Sequence, residues 1–544
     1  MTRWTQRNLL AAAFTALAFP QAAAQNSLVI VTGAEAPMPI PTLMEHGQAV
    51  QANYEISDHL FLRLAGLGPT LTTAGDAGFV PLLAKSWRRR DSLTLAFELD
   101  PRARWHDGVP VTSRDVLFTM GRARNPAIAP RVAKLLKHIA SVGAEGERTV
   151  VFRFSRAYAE QLYDATFHTA MLPAHLLAAL PPDSIARSSY VSHPIGNGPY
   201  RWVRSLPGQL VELAANDRFF LGRPSIQRLI VRVAKDADAR LNMVLSGEAD
   251  AMDNLTSPVT NGPRVAARPD LRLVTVPSPS LGYLLYNQRN PEQPTQPHPI
   301  LADLDVRRAL TLALDRRLMV KAVLGEYGTV PYGPTSALLW IRHGAPQPAG
   351  QDRAAAETLL ESRGWVDKDN DGVREREGHP LALRLLVPNT SSIRGSMSLL
   401  AQQQLRQVGV RVELVQLDFP SYMERRGAGA FDIDFSASLQ DPSPSGLVQS
   451  WSCSGSSNVA KYCDPAMDSV LDRAILARDS SQSRWHEVLR RIEEDAPAAF
   501  LYAQTYAFVV NRRFRDVAIR PESSWSAVWR WKVGTAPATG VAGY

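Results

Sequence analysis

Residues 83–118 read LAKSWRRRDSLTLAFELDPRARWHDGVPVTSRDVLF. Leu93, Leu95, Phe97 and Leu99 recur at the two-residue period of a strand, and Pro101 to Arg104 interrupts it. Trp105-His106-Asp107-Gly108 makes a polar turn. Thr112 stands three residues before Asp115, a capping-box-like start for a helix carrying Val116, Leu117 and Phe118. Strand, turn and capped helix follow one another here without a long linker.

The start of the chain reads as an export address. Arg3 and Arg7 precede an apolar run from Leu9 to Phe19, and Ala22 and Ala24 follow as small residues. That is the pattern of a secretory leader over residues 1–24, leaving Gln25 as the first mature residue. The run is shorter than the roughly 20 apolar residues of a membrane span. No cysteine follows it, so a lipoprotein anchor is not expected, and the mature chain is expected in the periplasm. With 544 residues and 45% hydrophobic content the chain is an ordinary globular sequence too long for one core. The formal charge of +8 becomes +6 once Arg3 and Arg7 leave (8 − 2). That modest excess, with no basic tract interleaved with aromatics, points away from nucleic acid. Cys453 and Cys463 are the two cysteines. In an oxidising compartment, with no His or carboxylate cluster to complete a metal site, they read as a disulfide.

Along the chain, Ser27–Thr32 reads as a buried strand, followed by a Pro-rich loop through Pro41. Helices are expected near Arg131–Ile139, Pro173–Ala179 and Asp236–Leu245, and over Ala354–Gly364, Ser391–Gly409, Ala466–Arg478 and Ser483–Glu494. A further helix starts at Val306, with Asp305 as its N-cap, and continues to Arg317. Strands are expected at Leu281–Asn287, Val410–Leu417 and Phe500–Val510. The alternation makes the class α/β with mixed sheets.

The block at 83–118 closely resembles the signature of family 5 solute-binding proteins of ABC importers, the dipeptide/oligopeptide-binding class. That signature is L-A-x-S-W, T-x-x-F-x-L, W-x-D-G and P-x-T-x-x-D-V-x-F. Further along, Gly196-Asn-Gly-Pro-Tyr200 is similar to the family's G-T-G-P-Y, with Asn197 in place of Thr. Ser246-Gly-Glu248-Ala-Asp250 and Val306-Arg-Arg-Ala-Leu-Thr-Leu-Ala-Leu-Asp315-Arg resemble two more of its segments. The resemblance implies a periplasmic-binding-protein-like fold of two lobes with hinge strands and an extra inserted domain. It places domain I at 25–66, 190–277 and 503–544, domain II, the insertion, at 67–189, and domain III at 278–502. It implies capture of a peptide or peptide-like solute between lobes, delivery to a membrane permease and its ATPase, a monomer, and neither catalysis nor a cofactor.

The same resemblance selects the candidate ligand residues. Phe431 to Pro442 is similar to the family's cleft-lining strand and D-P turn, which nominates Ser436, Ser438, Gln440 and Asp441. Peptide-binding relatives generally hold an Asp three residues before that D-P to receive the ligand's α-ammonium. Ser438 stands there, and a hydroxyl cannot supply the charge-assisted bond of a carboxylate. Asp441 is the substitute if its carboxylate turns inward. Arg394 is the candidate for an anionic group, Asn197 and Tyr200 lie in the turn placed near hinge and cleft, and Tyr283, Tyr286, Trp340 and Trp451 are aromatic candidates for stacking.

Other motifs reduce to plainer readings. Asp367-Lys-Asp369-Asn-Asp371-Gly372 matches the first half of a calcium loop, but Gly378 occupies the twelfth position, where a bidentate Glu is needed. A tight turn is the expectation, with no metal. His106 beside Asp107 is no catalytic pair without an activated nucleophile, and no G-x-S-x-G is present. The alternatives are the same fold holding a non-peptide solute (an opine, a sugar conjugate or a metal chelate) or an exported hydrolase. N-terminal sequencing of the exported form is expected to begin at Gln25; a chain retaining Leu9 to Phe19 would contradict the leader.

Overall fold

The structure, a computed structural model, describes residues 26–41, 50–181, 184–479 and 481–534. The expected leader and its cleavage site lie outside them. Two long strands, Leu271–Tyr286 and Ala498–Asn511, run antiparallel at the centre of an eleven-stranded mixed sheet. On one side follow Ala251–Met252, Ser27–Thr32, Arg228–Val233, Leu210–Ala215 and Tyr200–Leu206. On the other follow Ile433–Leu439, Ala382–Pro388 and Arg411–Leu417, these three mutually parallel. One sheet therefore serves two lobes, and the two long strands belong to both.

The pairing of the long strands is interrupted where the lobes meet. Leu271 to Pro277 pair with Asn511 to Thr505, and Leu281 to Leu285 pair with Ala503 to Ala498. Register shifts fall between Pro277 and Leu281 and between Gly282 and Tyr283. Pro277 and Pro279 have no N–H to donate, so a regular ladder cannot continue through them. Gly282 follows because a Cβ there would lie 2.1 Å from the Tyr502 ring. The strand is longer than the expected Leu281–Asn287, because Pro277 and Pro279 interrupt the strand pattern of its first half.

A second sheet, Ala84–Asp91, Thr94–Leu99, Thr149–Phe154 and Ile139–Glu145, is antiparallel throughout. Its Leu95, Phe97, Val150 and Phe152 share one apolar core with Leu28, Ile30, Leu213 and Leu229 of the first lobe. The second lobe has a core on each face of its sheet, one under Leu284, Tyr286 and Phe435, the other under Tyr283, Phe431 and Phe500.

The capped helix of the opening block forms over Ser113–Ala123, and Asp115 Oδ2 accepts Thr112 N at 2.8 Å. Two expectations need correction. The helix expected from Val306 to Arg317 is two, Leu304–Leu312 and Arg316–Leu324, and Asp303, not Asp305, caps the first. The break arises because Gln404 Oε1 takes Asp315 N at 2.7 Å while Asp315 caps the second helix through Leu318 N at 2.9 Å. The helix near Arg131 ends at Leu135, and Ile139–Glu145 is an edge strand whose mostly exposed side chains carry no apolar alternation.

Cys453 and Cys463 are joined, bracing a loop in which Asn458 Nδ2 donates to Ser452 O and Tyr462 O at 3.0 and 2.6 Å. Among the described residues no helix is long and apolar enough to cross a membrane.

Thiol titration of the unfolded, unreduced protein should find no free thiol, and reduction should cost about 2–3 kcal/mol through the unfolded state. Gly282→Ala should lower stability by about 1–3 kcal/mol by displacing the Tyr502 ring, read as a lower urea midpoint. An unchanged midpoint would show that the ring moves aside freely.

Candidate functional site

Ligands of open α/β sheets bind beyond the carboxyl ends of the strands. In the second lobe those ends are Pro388, Leu417 and Leu439. Strand Ile433–Leu439 is paired along its length with Ser280–Tyr286, but on its other side it meets Ala382–Pro388 only at Ile433 and Asp434. Beyond Phe435, whose carbonyl accepts Arg394 Nη1 at 3.3 Å, that edge has no strand partner among the described residues. The strand ends on Leu439, an apolar side chain left 63% exposed.

Leu439 and Asp441 face the first lobe across a cavity of about 290 Å³ that is also lined by Tyr54, Asp58, Arg63 and Arg131. Asp441 and Arg131 pair across it at 3.8 Å with both side chains about half exposed. Asp58 accepts Arg63 Nη1 at 2.7 Å, and its second carboxylate oxygen is buried with no hydrogen-bond partner among the described residues. A larger cavity of about 810 Å³ lies at the opposite, N-terminal ends of the second-lobe strands, beside Leu383, Val412 and Asp432. None of the candidate residues lines it.

The structure brings several candidates together. Tyr283, Ser436, Ser438 and Trp451 share one face of the second-lobe sheet, with the Tyr283 ring 5.8 Å from Trp451 and 5.7 Å from Phe500. Burial pushes the Tyr283 phenol up, and hydrogen bonds with Ser436 and Ser438 act against that. Arg394 joins the group through Tyr422, its guanidinium 5.5 Å from that ring.

Beneath them lies a charged network that sequence reasoning missed. Asp434 is fully buried and accepts Tyr422 Oη at 2.7 Å, Arg426 Nε at 2.8 Å and Ser436 Oγ. The available signal was an aspartate at an inward position of a buried strand, where an unpaired carboxylate would be untenable.

Other candidates are placed elsewhere. Tyr286 lies on the opposite face, inside the core, with its hydroxyl 3.1 Å from Thr311 Oγ1; a three-residue step from Tyr283 inverts the side chain. Asn197 is a clamp on the helix Val50–Leu60. Its backbone N donates to Leu60 O at 2.9 Å and its Oδ1 accepts Leu62 N at 2.8 Å. Gly196 lies so close that a Cβ would sit 1.9 Å from Leu60 O. Tyr200 is buried edge-on to His59 at 5.5 Å.

Gln440 spends both side-chain ends on the loop before Trp340, accepting Ser336 N and donating to Pro334 O, each at 2.7 Å. Its backbone N bonds Pro279 O at 3.0 Å, fastening the strand to the bulge. Trp340 is buried, and its Nε1 donates to Thr73 Oγ1 at 3.1 Å. In the Asp367 turn Gly372 N donates to Asp367 Oδ2 at 3.0 Å and Asp371 N to Asp369 Oδ1 at 3.2 Å, while Asp367 Oδ1 is buried without a hydrogen-bond partner among the described residues and carboxylate oxygens of Asp367, Asp369 and Glu375 lie within 4.8 Å of one another.

With this geometry in place, comparison with known proteins is direct. The family model of bacterial extracellular solute-binding proteins, family 5 Middle, matches residues 78–459. The oligopeptide-binding protein AppA of Bacillus subtilis is 25% identical over 462 residues, 82% of each chain. AppA solved with a nonapeptide aligns with a TM-score of 0.76 at 23% identity, over 94% of this chain and 99% of that one. NikA from Brucella suis, solved with Fe(III)-EDTA, aligns with a TM-score of 0.78 at 21% identity, over 93% of this chain and all of that one (100%). The structural likeness concerns the fold; the family match spans most of the chain, block 83–118 included. This protein belongs to the family 5 bacterial extracellular solute-binding proteins.

Proposed function

We propose that this protein is the periplasmic, monomeric binding subunit of an ABC importer, enclosing a peptide or peptide-like solute between its lobes and delivering it to a membrane permease. The observation that carries the reading is the strand Ile433–Leu439, whose edge is open beyond Phe435 and which ends at Leu439 and Asp441 on the interlobe cavity. An extended ligand can pair its backbone with such an edge while side chains enter the cavity. Arg394 and the largely buried Tyr283 and Trp451 then stand beside the strand as cationic and apolar contacts, and Ser438 as a hydroxyl, while Ser436 is buried with its hydroxyl on Asp434. No chemistry is performed on the solute. Export through a cleaved leader completes the reading. Mass spectrometry of solute released by denaturing the purified protein should find a peptide; an opine, a sugar conjugate or a metal chelate would overturn the substrate class.

The Ser438 position gives a sharper test. An ammonium buried without a carboxylate is costly, so a peptide with a masked amine should bind at least as tightly as its free-amine twin. Ser438→Asp should reverse that preference by roughly tenfold or more, one charge-assisted hydrogen bond. Calorimetry with matched free and N-acetylated peptides reads the change. Tight binding of the free-amine peptide by the unaltered protein, lost in Asp441→Asn, would assign the amine to Asp441.

A further inference from the structure

Glu160 stands at the start of the helix Gln161–Thr166 on the first-lobe side of the molecule and is only 7% exposed. Its Oε1 accepts the hydroxyl of Thr73, on the same side. Its Oε2 accepts Ser443 Oγ at 2.7 Å, and Ser443 belongs to the second lobe, just past the Asp441-Pro442 turn. Ser443 is held in turn by Ser445 at 2.5 Å. The Thr73 hydroxyl receives Trp340 Nε1 of the second lobe, and the neighbouring Ala159 N donates to Ala477 O at 2.8 Å. Three hydrogen bonds thus cross between the lobes within this small cluster, and the one carboxylate in it is fed by hydroxyls from both sides.

A carboxylate answered only by hydroxyls is an expensive thing to bury. Burial does push the Glu160 carboxyl up from its ordinary value, with Asp164 adding in the same direction, while Thr73, Ser443 and Ser445 oppose the shift. When the lobes part, Glu160 returns to water and the expense disappears. Closure is therefore favourable only if the Ser443 hydroxyl arrives in register with the Glu160–Thr73 pair. Ser443 is carried by the same turn that ends the strand Ile433–Leu439 and lines the interlobe cavity through Asp441.

We infer that Glu160, with Thr73 and Ser443, is a closure latch: a polar contact away from the ligand strand that is made only when the lobes are shut. It sets the balance between open and closed forms. The inference rests on two-lobed closure and not on the identity of the solute.

The test uses the full mature chain with one spin label on the four-stranded unit and one on the second lobe. Double electron–electron resonance is recorded on protein as purified and on protein stripped by unfolding and refolding. Ser443→Ala and Thr73→Val remove one donor each, from opposite sides, and leave a buried carboxylate under-satisfied. Each should lower the closed-to-open ratio of the stripped protein by roughly ten- to a hundredfold, while Ser443→Thr, which keeps the hydroxyl, should restore it. Ratios equal to that of the unaltered protein in both variants and both preparations would overturn the latch and make the contact a fixed junction. A fall that Ser443→Thr fails to restore would also overturn it, pointing to lost packing.

Discussion

Everything in this molecule hangs on the pairing of Leu271–Tyr286 with Ala498–Asn511. A hydrogen-bonded ladder shared by two lobes fixes their relative register, and it is interrupted at Ser278-Pro279-Ser280, where the lobes meet. Two prolines and a glycine do this with backbone chemistry alone: the prolines withhold donors, and Gly282 makes room for Tyr502. Gln440 N and Pro279 O then fasten the end of the strand Ile433–Leu439 to that interruption, so the strand beside the interlobe cavity and the broken ladder are bonded neighbours.

The blocks that identified the family turn out to be joints. Asp115 serves three elements at once: it accepts Thr112 N, Trp105 Nε1 at 3.3 Å and Ala174 N at 2.9 Å. His106 accepts Gly196 N at 3.1 Å on Nδ1 and lies 3.1 Å from Gly198 O through Nε2, which docks the W-H-D-G turn on the G-N-G-P-Y turn. Burial pushes the imidazole down to about 4, against the opposing hydrogen bond with Gly198 O. Arg307 and Arg316, which look like solvated helix charges, are buried and bond carbonyls at Asp495, Ala496 and Phe500, anchoring the start of a crossing strand.

What could be read from the sequence was what is local. The capped helix at Ser113, the strands at Ser27 and Thr94 and the helix over Ala237–Ser246 each follow from spacing within a short window. The cleft strand was legible by resemblance, but its chemistry was not. That Ser438 and Tyr283 come onto one face depends on the register between two strands far apart in the chain. Tyr286 and Tyr283 look equivalent in sequence and face different cores. Asn197 reads as a turn residue because its partner, the end of the helix at Leu60, is remote in sequence. Asp434 and Glu160 are visible as carboxylates, and their burial is a tertiary fact.

The continuous core shared by the first lobe and the four-stranded unit has a mechanical meaning. Leu95 and Phe152 belong to one continuous apolar cluster with Leu28 and Leu213, so parting the two units would open apolar surface to water. In the closure proposed above, the four-stranded unit would be carried with the first lobe as a lever, so that a solute held between the lobes would move a surface it never touches.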